Sequence, residues 1–156
     1  MDIIGWLTES ADQIPEWVRW LVAALFAAVE VLGVGPLLPG EVAVLVLGSS
    51  FDSLPSVLVL IAAVAVGASA GDHVLYAIGR RVGTGLRERK FIRRIGVHRW
   101  DAAVAYVERR GAFAIIATRL VPVVRTLTPI AAGVAKVAQP RFTVASLGDS
   151  LIWATA

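Results

Sequence analysis

Cysteine is absent from the 156 residues, which excludes disulfides and thiolate metal sites and leaves any redox chemistry to a separate cofactor. Lysine is nearly absent as well. Of 15 basic residues only Lys90 and Lys136 are lysine, a bias that fits a GC-rich bacterial genome. The amino-terminal run MDIIGWLTESADQIPEWVRW has no positive n-region and no small-residue cleavage site, and four acids precede Arg19. It is therefore expected to remain on the mature protein. Gly-rich nucleotide loops, metal-spaced ligand clusters and nucleic-acid motifs are also missing, so no nucleic-acid partner and no metal are expected. What remains is apolar: 57% of residues are hydrophobic and mean hydropathy is +0.74, above the usual share of about 45 to 50% for a globular domain. The composition is that of an integral protein of a bacterial inner membrane.

Four apolar stretches carry this character. Only 54–79 reads as a plain spanning helix, since about 26 residues at 1.5 Å each exceed a hydrocarbon core of about 30 Å. Ala63, Gly67 and Gly71 recur on it every four residues, a small-residue stripe that admits a second helix closely. The stretches 19–53 and 112–138 are broken at their centres by GVGPLLPGE and RLVPVVRTLTP. Proline removes a helical hydrogen bond and glycine loosens the backbone. Irregular backbone at membrane depth survives only when buried or lining a wet cavity. Both stretches therefore read as re-entrant hairpins, the alternative being kinked full spans.

Between Arg80 and Arg110 lie ten basic residues against Glu88, Asp101 and Glu108, so 80–111 is expected to be cytoplasmic. Residues 1–18 then lie outside, and Lys136 and Arg141 inside. The order hairpin, helix, hairpin, helix predicts a single all-α membrane domain built as an inverted repeat. Within the basic segment, Trp100, Val104 and Val107 follow helical spacing, which suits either a helix lying on the anionic leaflet or a solvated connector. The last stretch, 142–156, ends after 15 residues with no polar exit, and the natural chain is expected to continue past Ala156.

Glu30, Glu41, Asp72, Arg119, Arg125 and Asp149 all fall inside apolar runs, where a charge costs roughly 2.5 to 3.5 kcal/mol on insertion scales. Asp72 and Asp149 suit structural pairing equally well. Glu30, Glu41 and the two arginines sit at the backbone breaks and suit function better. In an unbroken helix Arg119 and Arg125 would point about 120° apart. With Pro122 between them and Pro129 beyond, the helix is expected to open so that both guanidinium forks address one phosphate. Glu30 and Glu41 supply the complementary chemistry, because buried carboxylates can carry protons near neutral pH. His73 reads as a satisfied packing residue more readily than as part of a relay with Asp72, and His98 as a surface residue.

At these residues the chain resembles the DedA family, bacterial relatives of the VTT-domain lipid scramblases. The matching pieces are Glu30 followed by PLLPGE, then GDHVLYAIGRRVG, RLVPVVRTLTPIAAGVAKVAQPRF and GDSLIW, covering roughly residues 25–156. The resemblance implies that Glu30 and Glu41 are the family's membrane acids and Arg119 and Arg125 its essential arginines. Pro39, Gly40, Pro122 and Pro129 are then supporting backbone positions, with Asp72 and Asp149 supporting charges. Many members carry Asp after the PG, so Glu41 is one methylene longer than usual. It further implies a multi-pass transporter, not an enzyme, that flips undecaprenyl phosphate or another polyprenyl phosphate with no cofactor but the proton gradient. A less selective phospholipid scramblase is the alternative. A lipid phosphatase would additionally need a nucleophile with a base. Membrane lipids are the expected partners, and a homo-oligomer is compatible with the sequence.

Overall fold

The computed structural model describes residues 13–34, 40–49, 51–118 and 122–155, with side chains described for all of these except 33, 34, 40–43 and 122–125. Among the described residues every regular element is helical. The chain divides into two compact units, Met1–Gly71 with Ser150–Ala156, and Asp72–Asp149.

The first unit opens with helix α1, Glu16–Val29. Pro15, with ψ at 141°, stands just outside it, and its carbonyl accepts the Val18 and Arg19 amides at 2.9 and 3.2 Å. Glu16 in the first turn complements the positive end of the helix dipole. The helix widens into a π segment over Glu30–Val34, and α2, Gly40–Ser49, packs back against α1. At 14 and 10 residues these arms rise only about 21 and 15 Å. Trp17, Leu21 and Leu25 follow i, i+4 spacing on α1 and are 64, 51 and 56% exposed. The stripe is a continuous apolar surface on the outside of the helix.

Helix α3, Leu54–Val82, is the one helix among the described residues long and apolar enough to cross a membrane. Ser53 caps it by accepting the Ser56 amide at 3.3 Å, and the Ser56 hydroxyl donates to the Glu16 carboxylate. The expected small-residue stripe is a helix seat. A Cβ on Gly67 would fall on the Ala24 carbonyl, and one on Gly71 would lie 2.7 Å from the Ala28 carbonyl. Ala23, Ala27, Val64 and Ala68 fill the contact. Beside it Trp20 stacks on Phe51 at 6.2 Å, and the Arg19 guanidinium lies 4.5 Å above the Phe51 ring.

In the second unit α3 continues to Val82, three residues beyond the expected end, and passes through a 3-10 turn at Gly83–Glu88. Helices α4, Lys90–Ile95, α5, Val97–Arg110, and α6, Phe113–Thr118, follow. Gly96 and Gly111, with φ of 112° and 58°, separate them in backbone conformations that only glycine adopts freely. Next come α7, Pro122–Val134, and α8, Gln139–Thr155. Helix α5 has one face packed inside the unit. It buries Trp100, Ala103 and Val107 against α7, with Val104 only half-buried.

Helices α3 and α7 meet backbone to backbone. A Cβ on Gly79 would strike the Ile130 carbonyl, and one on Gly133 the Tyr76 carbonyl. Tyr76 stacks on Phe142 at 4.3 Å and donates its hydroxyl to the Val137 carbonyl at 2.7 Å, while Arg80 donates to the Tyr76 oxygen at 2.9 Å. The turn between α7 and α8 holds Lys136 at φ 55°.

Candidate functional site

Glu30, Glu41, Arg119 and Arg125 lie beside or within residues 35–39 and 119–121, which are outside the described set, whereas Asp72 and Asp149 lie inside α3 and α8. In the first unit Glu30 ends α1 with helical dihedrals, φ −59° and ψ −44°, its amide reaching the Ala27 and Phe26 carbonyls. It also opens the π segment. Such wide turns cluster at functional sites because they release backbone groups from the regular ladder. Gly40 and Glu41 begin α2. Pro39 lies outside the described residues, as does the Glu41 side chain.

In the second unit the interruption falls between α6 and α7. Arg119 lies outside the described residues, and Arg125 is the fourth residue of α7, its side chain not described. Pro122 opens α7, where a missing amide proton costs nothing. Pro129 overturns the expectation that it would open the helix. It lies inside α7, fully buried, and the helix runs on to Val134. Its ring removes only the amide that the Arg125 carbonyl would have accepted, and the packed surroundings hold the remaining turns.

A buried hydroxyl pair braces this break. Thr118 Oγ1 donates to the Ala114 carbonyl at 2.8 Å and lies 2.9 Å from Thr128 Oγ1. Both residues are buried. One lies just before Arg119 and the other three residues after Arg125, which ties the arms of the arginine-bearing break together.

The same unit holds the two buried acids, each 2% exposed. Asp72 accepts the Ser146 hydroxyl at 2.8 Å, a bond between α3 and α8. Next to it, His73 Nε2 lies 2.9 Å from Thr143 Oγ1. The Thr143 hydroxyl also lies 3.0 Å from the Gln139 carbonyl, to which it can donate. With Phe142 edge-on at 5.0 Å, His73 is held as a packing residue. His98 is exposed, as expected. The four membrane acids and two arginines thus divide: Glu30 and Glu41 belong to the first unit, and Asp72, Arg119, Arg125 and Asp149 to the second.

The polar groups that sequence reasoning missed are Arg19, Thr118, Thr128 and Ser146. Their partners are too distant in sequence, or too ordinary as residue types, to leave a pattern. Outside the apolar runs, Arg87 makes a bidentate contact with Asp101 at 2.8 and 2.9 Å. The hydrogen bond and then the charge of Arg87 hold the Asp101 carboxyl below the usual range, and the guanidinium is raised in turn.

Comparison with known proteins identifies a family. A family model described as the VTT domain matches residues 38–156. An uncharacterized membrane protein of Mycobacterium tuberculosis is 34% identical over 122 residues, which are 76% of this chain and 53% of the relative. One from Mycobacterium bovis is 34% identical over 151 residues, covering 92% and 67%. The protein DedA of Escherichia coli is 32% identical over 157 residues, covering 92% and 68%. The chain spans about half the length of the first of these and about two thirds of the other two. No solved structure matches it.

Proposed function

This chain belongs to the VTT-domain, or DedA, family of membrane proteins, and from that membership we propose that it is a multi-pass inner-membrane transporter for a lipid phosphate. The cargo is a polyprenyl phosphate carried between leaflets and coupled to the proton gradient. The two broken runs are re-entrant hairpins, and the chain is an inverted repeat about the membrane midplane. The single observation that carries this reading is the braced break in the second unit. Thr118 and Thr128 clasp the ends of a short gap whose residues include Arg119, with Arg125 in the first turn of α7. A helix start offers unpaired amides and a positive dipole end to an anion, and a guanidinium pair adds forked donors that stay charged at any biological pH. At the other break, Glu30 at a π segment and Glu41 beside it supply groups that exchange protons.

The proposal is tested with purified protein and reconstituted vesicles. Arg119→Lys and Arg125→Lys keep the charge and lose the fork, so binding of a short-chain polyprenyl phosphate should fall roughly tenfold or more in each. Glu30→Gln and Glu41→Gln should bind normally and lose the dependence of flipping on the proton gradient. Unchanged binding in both Lys variants rejects the phosphate role, and wild-type gradient dependence in both Gln variants rejects the proton role. Equal competition by ordinary phospholipid headgroups would replace the selective transporter with a general scramblase.

A further inference from the structure

Between the end of α3 and the first turn of α5 the second unit turns an elbow with two opposed surfaces. Leu86 and Ile92 point inward and are buried, pinning the 3-10 turn and α4. Around them Arg87, Arg89, Lys90, Arg93, Arg94 and Arg99 are all exposed. Arg87 is neutralised by Asp101. Among the described residues the other five have no carboxylate within ion-pairing distance, so the elbow presents a concentrated positive surface.

An apolar ring stands in the middle of that surface. Phe91, flanked by Lys90 and Arg93, is 53% exposed, although α4 has an inward side that Ile92 occupies completely. In an aqueous connector such a ring gains nothing from facing out. The last turns of α3 explain its direction. Val74, Ile78 and Val82 form an exposed apolar stripe at i, i+4 spacing that leads down to the elbow within the same unit. An apolar stripe, then an exposed ring among cations, is the order of surfaces met on leaving the acyl region for the headgroups.

We propose that the elbow Arg89–Arg99 is a docking surface for the anionic headgroups of the cytoplasmic leaflet, with Phe91 inserted at the acyl boundary and Arg89, Lys90, Arg93, Arg94 and Arg99 neutralising lipid phosphates. The surface recruits lipid by charge, whichever lipid the transporter moves. Each cation near an anionic leaflet strengthens association by roughly fivefold, and the attraction fades with salt because exposed charges are screened.

The absence of cysteine gives a direct test on the full chain. Phe91→Cys carrying an apolar, environment-sensitive fluorophore is placed in nanodiscs of zwitterionic lipid with or without phosphatidylglycerol. Phosphatidylglycerol should shift the emission to the blue and bring quenching by spin-labelled headgroups. High salt should reverse both changes. Adding Arg93→Gln and Arg94→Gln to the labelled chain should weaken the response by roughly twentyfold or more in effective lipid affinity. The three positions are exposed, so folding is not at stake. A water-like, unquenched label in both lipids would overturn the proposal. So would quenching that is equal with and without the anionic lipid, or a shift produced equally by RNA in lipid-free detergent.

Discussion

The acid-bearing break after residue 34 and the arginine-bearing break after residue 118 share an outline and differ in how they are held. Each separates two helices, and in each unit one of those helices rests on glycines of α3. The acid-bearing break is entered through a widened π segment, and its arms carry exposed leucines toward lipid. The arginine-bearing break is clasped by a hydroxyl pair, and α5 packs its buried Trp100, Ala103 and Val107 onto the α7 arm. The chemistry explains the difference. A bidentate guanidinium contact is lost with a small change of angle, so its frame must be fixed. A carboxylate that exchanges protons needs a suitable environment more than a fixed direction.

The contrast is tested most severely at the helix seats. A Cβ at Gly133 would meet the Tyr76 carbonyl, the Arg80 amide nitrogen and the Gly79 carbonyl carbon, all backbone. Gly133→Val should therefore destabilise by more than about 3 kcal/mol, the upper end for overpacking, or prevent folding. At Gly71 the nearest atoms are a carbonyl at 2.7 Å and the Val31 side chain, so Gly71→Ala should cost only about 1 to 2 kcal/mol. Thermal unfolding in detergent followed by circular dichroism ranks them, and equal losses would mean that the Val31 side chain cannot give way when Gly71 gains a methyl group.

A smaller effect is expected at the clasp. Thr118→Val or Thr128→Val alone removes one side of the hydroxyl contact and should cost about 1 kcal/mol, whereas the double variant should cost less than the sum. Strict additivity in a double-mutant cycle would mean that the hydroxyls do not act as a pair. If the clasp fixes the arginines, either single variant should also weaken lipid phosphate binding more than Ser53→Ala, a cap change in the other unit.

The smallest effect belongs to Arg87 and Asp101. The Asp101 carboxyl lies below its unfolded value of about 3.9, so the stability it contributes is complete above that pH and is lost as pH falls through the lower, folded value. Both groups are exposed, and water screens the gain. Asp101→Asn should leave melting near neutral pH almost unchanged and remove only the acid-side loss of amide protection in the first turn of α5, as read by hydrogen exchange.

Helix α3 and its glycine stripe were legible in the sequence because a long apolar run and a spacing of four are local signals. So were the two interruptions, written in proline and glycine. The basic segment was legible as charge but not as packing, because its seam rests on Ala103, a residue type that signals nothing by itself, with Trp100 and Val107. The Thr118–Thr128 and Asp72–Ser146 bonds join residues 10 and 74 positions apart and leave no periodic trace. Pro129 misled for a physical reason: a proline removes one helical bond, and burial against neighbouring helices can hold the other turns. Arg119 and the side chains of Glu41 and Arg125 lie outside the described residues.

Lys136 in the turn between α7 and α8 adopts a left-handed backbone that costs a lysine roughly 1 to 2 kcal/mol more than glycine. Asparagine would fit there better too. Two selections would therefore pull this position apart. A library sorted only for resistance to heat should discard the lysine, whereas one sorted for correct orientation on insertion should keep it, because a positive charge beside a span decides which side of the membrane a turn occupies.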